Sequence, residues 1–258
     1  MPPYAILAWQ PLMRPPLPNE EPPEVPDIAL KAITCRNAVA SVAALVTSDA
    51  PVAAARLVFT DLTCPGGIIT SEAISARFVG AVPTAEQGMV CDPLYAVDEF
   101  HIDRSAAMYI MVRVPMGVTP GTYRGEVRLR IGAAEVARNS IEIEVAAVDL
   151  PDPHDWNFFL NVWMNPSAVA SLHGVAAWSE EHFRALQPCI EDLAAHGQKA
   201  VVVPISHDPY PGAIIWKKDG DSYEFDFSVF DRFVEMHQEL GIDRAIHCHS
   251  IVRPGDSD

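Results

Sequence analysis

The side chains with the most chemistry in this sequence sit near its C-terminal end. His247 and His249 stand two residues apart in Arg244-Ala245-Ile246-His247-Cys248-His249-Ser250. On a strand, positions i and i+2 face one side, so the two imidazoles project together. With His207 or Asp208 they offer the nitrogen and oxygen donors of a His-x-His site, as in metal-dependent hydrolases. Trp163 and Asn165 close an apolar run that begins Phe158-Phe159-Leu160, and His207-Asp208 follow another, Ala200–Ile205. Trp163, Asn165, His207, Asp208 and His249 therefore fall at the carboxyl ends of strand-like segments, where α/β barrels assemble their sites. The plain alternatives are core packing for Trp163 and a loop-capping pair for His207-Asp208. Acid–base work by paired carboxylates has one Asp-Glu dipeptide to draw on, Asp98-Glu99 between Tyr95 and Phe100, and its setting reads as a surface turn.

Two kinds of segment flank residue 150. Before it, Tyr123, Val127, Leu129 and Ile131 alternate with Arg124, Glu126, Arg128 and Arg130, and Ile141, Ile143 and Val145 alternate with Glu142 and Glu144. That period of two predicts half-buried antiparallel strands with Gly132 in the turn between them. Further strands are expected at Ile28–Thr34, Val39–Thr47, Ala54–Thr60, Ala73–Val79 and Ala107–Val114, with a helix as the alternative for the alanine-rich Ala38–Val46. Short strands with frequent turn signals predict a β-sandwich over 27–149. Residues 1–26 carry nine prolines and read as an extended surface arm, with an edge strand at Ala5–Trp9 the lesser reading.

Leu150-Pro151-Asp152-Pro153 stops the alternation, because proline lacks the N–H a ladder needs. Beyond it, strand and helix alternate: Phe158–Trp163, a helix capped by Ser179 and ended by Gly197, Ala200–Ile205, a hairpin around Asp219-Gly220, a helix from Ser228, and Arg244–Ser250. Trp178 is placed to staple onto Phe183 across the first of these helices. The order is that of βαβ units on a parallel sheet. The expected fold is thus multi-domain α+β: a β-sandwich followed at 150–258 by about three units of a (β/α)8 barrel. A whole barrel needs roughly 200–250 residues, so this part reads as a barrel cut short.

Composition narrows the function classes. Lysine and arginine number 18 against 34 acids, for a net charge of −16. That argues against nucleic acid and against an anionic membrane surface as partners. The five cysteines form no CxxC pair and are odd in number, which favours reduced thiols over a disulfide framework or zinc ribbon. No apolar run reaches membrane-spanning length, and no signal peptide is visible, so a cytoplasmic location is expected. No cofactor is expected.

The chain resembles glycoside hydrolase family 123-like proteins, in their N-terminal half. The resemblance rests on Arg36-Asn37, Cys91-Asp92-Pro93-Leu94, Val114-Pro115, Pro120-Gly121-Thr122-Tyr123-Arg124-Gly125 and Leu150-Pro151. It continues through Trp178-Ser179, Gly197, Asp226-Phe227, Phe230-Asp231 and Gly241-Ile242, with one departure at Ala38, where the family commonly has an acid. It implies a β-sandwich before a catalytic barrel and a substrate-assisted β-N-acetylhexosaminidase, a galactosaminidase. In that chemistry the substrate's 2-acetamido oxygen attacks the anomeric carbon, a glutamic acid protonates the leaving oxygen, and a neighbouring aspartate orients the acetamide. The family's acid pair lies beyond the third barrel strand, so the catalytic half is expected to be missing and this chain to be inactive alone. A carbohydrate partner follows. Trp163 would stack on a sugar face, Asn165, His207, Asp208 and His249 would bind hydroxyls, and Trp216 on the hairpin is a lesser candidate. The open barrel edge predicts self-association, or pairing with the missing barrel half.

Two other readings stand beside this one. One is the metal-dependent hydrolase using His247 and His249. The other is a carbohydrate-binding or interaction module without catalysis. Against the second, the sandwich aromatics Phe59, Phe78, Tyr109 and Tyr123 fall mostly at inward-looking positions instead of forming an exposed row.

Overall fold

The computed structural model describes residues 3–9, 29–205 and 211–249. Two compact units are present, Met1–Leu150 and Pro151–Asp258.

In the first unit the strands are β1 Tyr4–Trp9, β2 Leu30–Arg36, β3 Ala38–Ser48, β4 Val52–Phe59, β5 Leu62–Cys64, β6 Gly67–Ile69, β7 Ile74–Thr84, β8 Gly88–Tyr95, β9 Phe100–Ile102, β10 Ser105–Val114, β11 Gly121–Ile131 and β12 Ala134–Asp149. One sheet runs β1-β3-β10-β7-β8, the other β2-β12-β11-β4-β9, with β5 joined to β11 and β6. The alternation seen in the sequence becomes a buried face. Tyr123, Val127, Leu129, Ile141, Ile143 and Val145 from one sheet meet Val46, Phe78, Met108 and Ile110 from the other in a single core. That sharing of one core by two sheets is a sandwich. The β11–β12 turn is Gly132-Ala133, with Ile131 opposite Ala134 and Gly132 at φ 57, a backbone glycine adopts without strain.

Two expectations for this unit are corrected. Ala38–Val46 forms no helix. It is β3, hydrogen-bonded to β1 on one side and β10 on the other, so sheet pairing overrides alanine's helical preference. Residues 4–9 are no surface arm. They pair antiparallel with β3 from Tyr4↔Ser48 to Trp9↔Ala43 and bury Ile6 and Leu7. The prolines from Pro11 to Pro26 lie outside the described residues.

Motifs far apart in sequence meet at the end of this unit. Asn37, between β2 and β3, takes a left-handed backbone at φ 58, and its Nδ2 donates to the Leu150 carbonyl at 3.0 Å. The Leu150 N–H donates to the Arg36 carbonyl at 3.0 Å, and Arg36 pairs with Asp149. Arg36-Asn37 therefore fastens the last strand just before Pro151. Tyr123, fully buried, donates its hydroxyl to the Thr119 carbonyl at 2.7 Å. Burial and the neighbouring Cys64 push its pKa up to about 12. A Cβ at Gly67 would sit 2.3 Å from the Tyr123 hydroxyl, and one at Gly125 would sit 2.7 Å from the Asp61 carbonyl oxygen, so the close approach requires glycine at both.

The second unit contains α1 Pro166–His173, α2 Glu180–Ala195, β13 Ala200–Pro204, β14 Ile215–Asp219, β15 Ser222–Asp226, α3 Ser228–Gln238 and β16 Ala245–His249. β13 and β16 pair in parallel, and β14 and β15 form a separate antiparallel hairpin. Ser179 caps α2 by accepting the His182 N–H at 3.2 Å, and the Trp178 ring lies 6.1 Å from that of Phe183, as the staple requires. Val201 and Val203 pack with Phe183, Leu186, Ile190, Phe233 and Val234 in the core between strand and helices.

The expected run of barrel strands is corrected here. Phe158–Trp163 is not a ladder strand: only Leu160 bridges, in parallel, to Gln198. Consecutive hydrogen-bonded strands are what bend a sheet towards a barrel. Among the described residues this unit shows one parallel pair with a bridged neighbour, and no barrel.

Candidate functional site

The segment that carries Asn161 and Trp163 is held by side chains in place of a ladder. Beyond the single bridge, the Lys199 N–H donates to the Leu160 carbonyl at 2.9 Å. The buried Gln198 then acts as a surrogate strand. Its Oε1 accepts the Val162 N–H at 2.7 Å, while its Nε2 donates to the carbonyls of Val162 at 3.2 Å and Ala200 at 2.7 Å. On the N-terminal side, the buried Lys199 Nζ donates to the carbonyls of Pro153 at 2.7 Å and His154 at 2.6 Å. Burial lowers the pKa of that ammonium, and Arg244 adds to the effect. Sequence reasoning missed Gln198 and Lys199, because a polar pair before an apolar strand gives no sign of which backbone it will satisfy.

These supports bring four residues to one face. Val202 is opposite His247 and Pro204 opposite His249 in the parallel pair, so the histidines share the face turned away from Val201, Val203 and the helices. Asn161 reaches this face, with its Nδ2 2.8 Å from His247 Nδ1. Donation by the amide leaves the proton of a neutral His247 on Nε2, where it can serve a ligand. Asn161 Oδ1 is buried with no hydrogen-bond partner among the described residues. Trp163 lies over His249 with ring centroids 5.8 Å apart and planes 10° from parallel, and 72% of its surface is exposed. Phe159 flanks His247 at 6.0 Å. An exposed flat ring beside polar donors and acceptors can hold a ligand with one apolar face and hydroxyl edges.

The candidates read from the sequence separate as follows. Trp163 and His249 come together. Asn165 is committed elsewhere: it is the N-cap of α1, with Oδ1 accepting from Ser167 N at 3.1 Å, Ala168 N at 3.4 Å and Ser167 Oγ at 2.7 Å. His207 and Asp208 lie outside the described residues. His247, weighed in the sequence only as a metal ligand, joins the aromatic cluster, and Asn161 was overlooked. The signal for Asn161 was its spacing of two before Trp163, which repeats the spacing of His247 and His249. No group of three or more metal-ligating side chains occurs among the described residues. No helix there is long and apolar enough to cross a membrane. Asp98-Glu99 lies just before β9, and Glu99 pairs with Arg56 at 2.9 Å.

Comparison with known proteins bears on this site directly. No curated protein sequence matches the chain. Residues 163–255 match the family model described as glycoside hydrolase 123, catalytic domain, a match that starts at Trp163 and takes in His247 and His249. Among solved structures the chain is similar to a family 123 glycoside hydrolase from Clostridium perfringens studied for glycolipid glycan hydrolysis, with TM-score 0.77 and 21% identity over 87% of this chain.

The chain is similar to glycoside hydrolase family 123 over residues 163–255.

It spans 44% of the length of that Clostridium enzyme. A weaker likeness is to the N-terminal domain of PorA (TM-score 0.29, 10% identity, 55% of this chain and 96% of that one). The CARDB domain of the PF1109 protein from Pyrococcus furiosus is another (TM-score 0.26, 9% identity, 55% of this chain and 85% of that one). At those scores neither says anything about this site.

Proposed function

We propose that this chain supplies the N-terminal β-sandwich and the first β/α units of a family 123-like glycoside hydrolase, and that the face built by Asn161, Trp163, His247 and His249 binds a sugar. The observation that carries this reading is the exposed Trp163 ring lying parallel to His249 beside the Asn161–His247 hydrogen bond. A pyranose presents C–H groups on one face and hydroxyls at its rim. Trp163 matches the first, and the His247 Nε2–H, set by the Asn161 amide, matches the second.

The family chemistry needs more than binding. Substrate-assisted cleavage of a β-N-acetylhexosaminide takes a glutamic acid for the leaving oxygen and an aspartate for the acetamide. Within these 258 residues the Asp-Glu dipeptide is Asp98-Glu99, whose Glu99 is bound to Arg56 in the other unit. The chain by itself therefore binds N-acetylhexosamine without turning it over.

Titration with N-acetylgalactosamine and N-acetylglucosamine, followed by tryptophan fluorescence and calorimetry, tests the binding. Saturable binding weakened by Trp163→Ala supports the reading. Absence of binding by a folded chain, or binding indifferent to Trp163→Ala, rejects it.

A further inference from the structure

The hairpin β14–β15 carries an unexplained row of exposed rings. Trp216 is directly opposite Phe225 in the antiparallel register, and Tyr223 stands two residues before Phe225, so the three share one face of the ribbon. They are 52%, 58% and 53% exposed, respectively. The rings are contiguous: Trp216 to Tyr223 is 5.9 Å between centroids with planes 59° apart, Tyr223 to Phe225 is 6.4 Å with planes 25° apart, and Phe225 to Phe227 is 6.3 Å with planes 37° apart. Lys218 reaches the outer end, 6.0 Å over the Tyr223 ring.

A two-stranded ribbon has no second layer of its own, and an exposed aromatic face of this extent marks a contact surface. Charge selects among occupants. The turn and strand edges are mostly acidic, with Asp219, Asp221, Glu224 and Asp226, and the whole chain carries −16. A second copy or an anionic lipid surface would bring like charge against this rim. A neutral ligand rich in hydroxyl donors would not, and the carboxylates would accept its hydrogen bonds. The hairpin belongs to the connection that follows the carboxyl end of β13, the end at which α/β enzymes bind ligands.

Resting on the carbohydrate reading above, we propose that the Trp216–Tyr223–Phe225 face is a second sugar-stacking platform, which makes an oligosaccharide rather than a single sugar the preferred ligand. Each ring stacks on the C–H face of one sugar unit, and Lys218 with the acidic rim meets the hydroxyls.

The test uses the full chain and two probes, N-acetylgalactosamine and a β-linked N-acetylglucosamine tetrasaccharide, in calorimetric titrations. The tetrasaccharide should bind more tightly than the monosaccharide. Tyr223→Ala and Phe225→Ala should each weaken tetrasaccharide binding by roughly 2- to 10-fold, and leave monosaccharide binding unchanged. Phe225→Tyr, which keeps the ring, and Lys217→Ala, on the opposite face, should retain tetrasaccharide binding and so exclude a collapsed hairpin. Equal affinity for the two probes overturns the proposal, as does tetrasaccharide binding indifferent to the ring deletions. A dimer in sedimentation that Tyr223→Ala dissolves also overturns it, by assigning the row to a contact between copies. Trp163→Ala separates the two sites: loss of monosaccharide binding there, with the hairpin variants silent, leaves the sugar site standing and removes the platform.

Discussion

Single residues in this protein hold backbone in places where no ladder reaches. Tyr123 closes the loop before its own strand through the Thr119 carbonyl. Tyr123→Phe keeps the ring and loses that bond, so chemical denaturation should show a loss of about 1 kcal/mol. His182 is completely buried, accepts the Trp178 N–H on Nδ1 at 2.8 Å and has Nε2 2.8 Å from the Pro166 carbonyl. Both contacts are satisfied only by the neutral ring. Burial depresses its pKa below the usual 6.5, and burial does the same for His237, whose Nδ1 donates to the Phe233 carbonyl. A depressed histidine pKa means that the unfolded chain binds more protons once pH falls below about 6.5, so stability is full above that value and declines beneath it. Urea midpoints from pH 7.5 down to 5 should fall accordingly. His237→Gln should shrink the slope over that interval, and a midpoint independent of pH would contradict the assignment.

At the scale of elements, the question is what fixes strands that the hydrogen-bond ladder alone leaves loose. Asn37 joins the β2–β3 corner to the end of β12 and holds a left-handed backbone. Asn37→Ala should lose about 1–2 kcal/mol, because a Cβ without a local hydrogen-bonding group is disfavoured there; a thermal scan measures it. In the second unit, Arg232 of α3 forms a two-bonded pair with Glu180 at the start of α2 and lies 3.9 Å over the Phe183 ring. The guanidinium holds the Glu180 carboxyl below its ordinary range. The pair is solvent-exposed, so most of what holds α2 is its apolar face, and Leu186→Ala, fully buried, should cost about 2–5 kcal/mol. Helices α2 and α3 were readable from their 3.6-residue spacing, and Ser179 from its position before it. The segment Phe158–Trp163 was misread because a short apolar run does not reveal whether its backbone partners will be strands or the side chain of Gln198.

For the whole molecule, the decisive expectation concerns activity. Asn161, Trp163, His247 and His249 belong to one unit and the Asp-Glu dipeptide to the other. With 4-nitrophenyl N-acetyl-β-galactosaminide and its gluco epimer, the chain should show no turnover above background. Asp98→Asn and Glu99→Gln should leave sugar binding intact. Hydrolysis abolished by Asp208→Asn would instead show that a working acid lies among these residues.

The sequence by itself determined the sandwich strands, the stop at Pro151 and the alternating helices beyond it, because each depends on local periodicity or on proline's missing N–H. It also placed His249 at the end of a strand, whereas Trp163 ends a segment that is no strand. Only the tertiary structure decided that His247 is paired with Asn161 and that Arg36-Asn37 grips Leu150. Those outcomes depend on which backbone group is left without a partner across a separation of up to 113 residues. No local pattern encodes that, because the need for the bond arises only once the chain has folded.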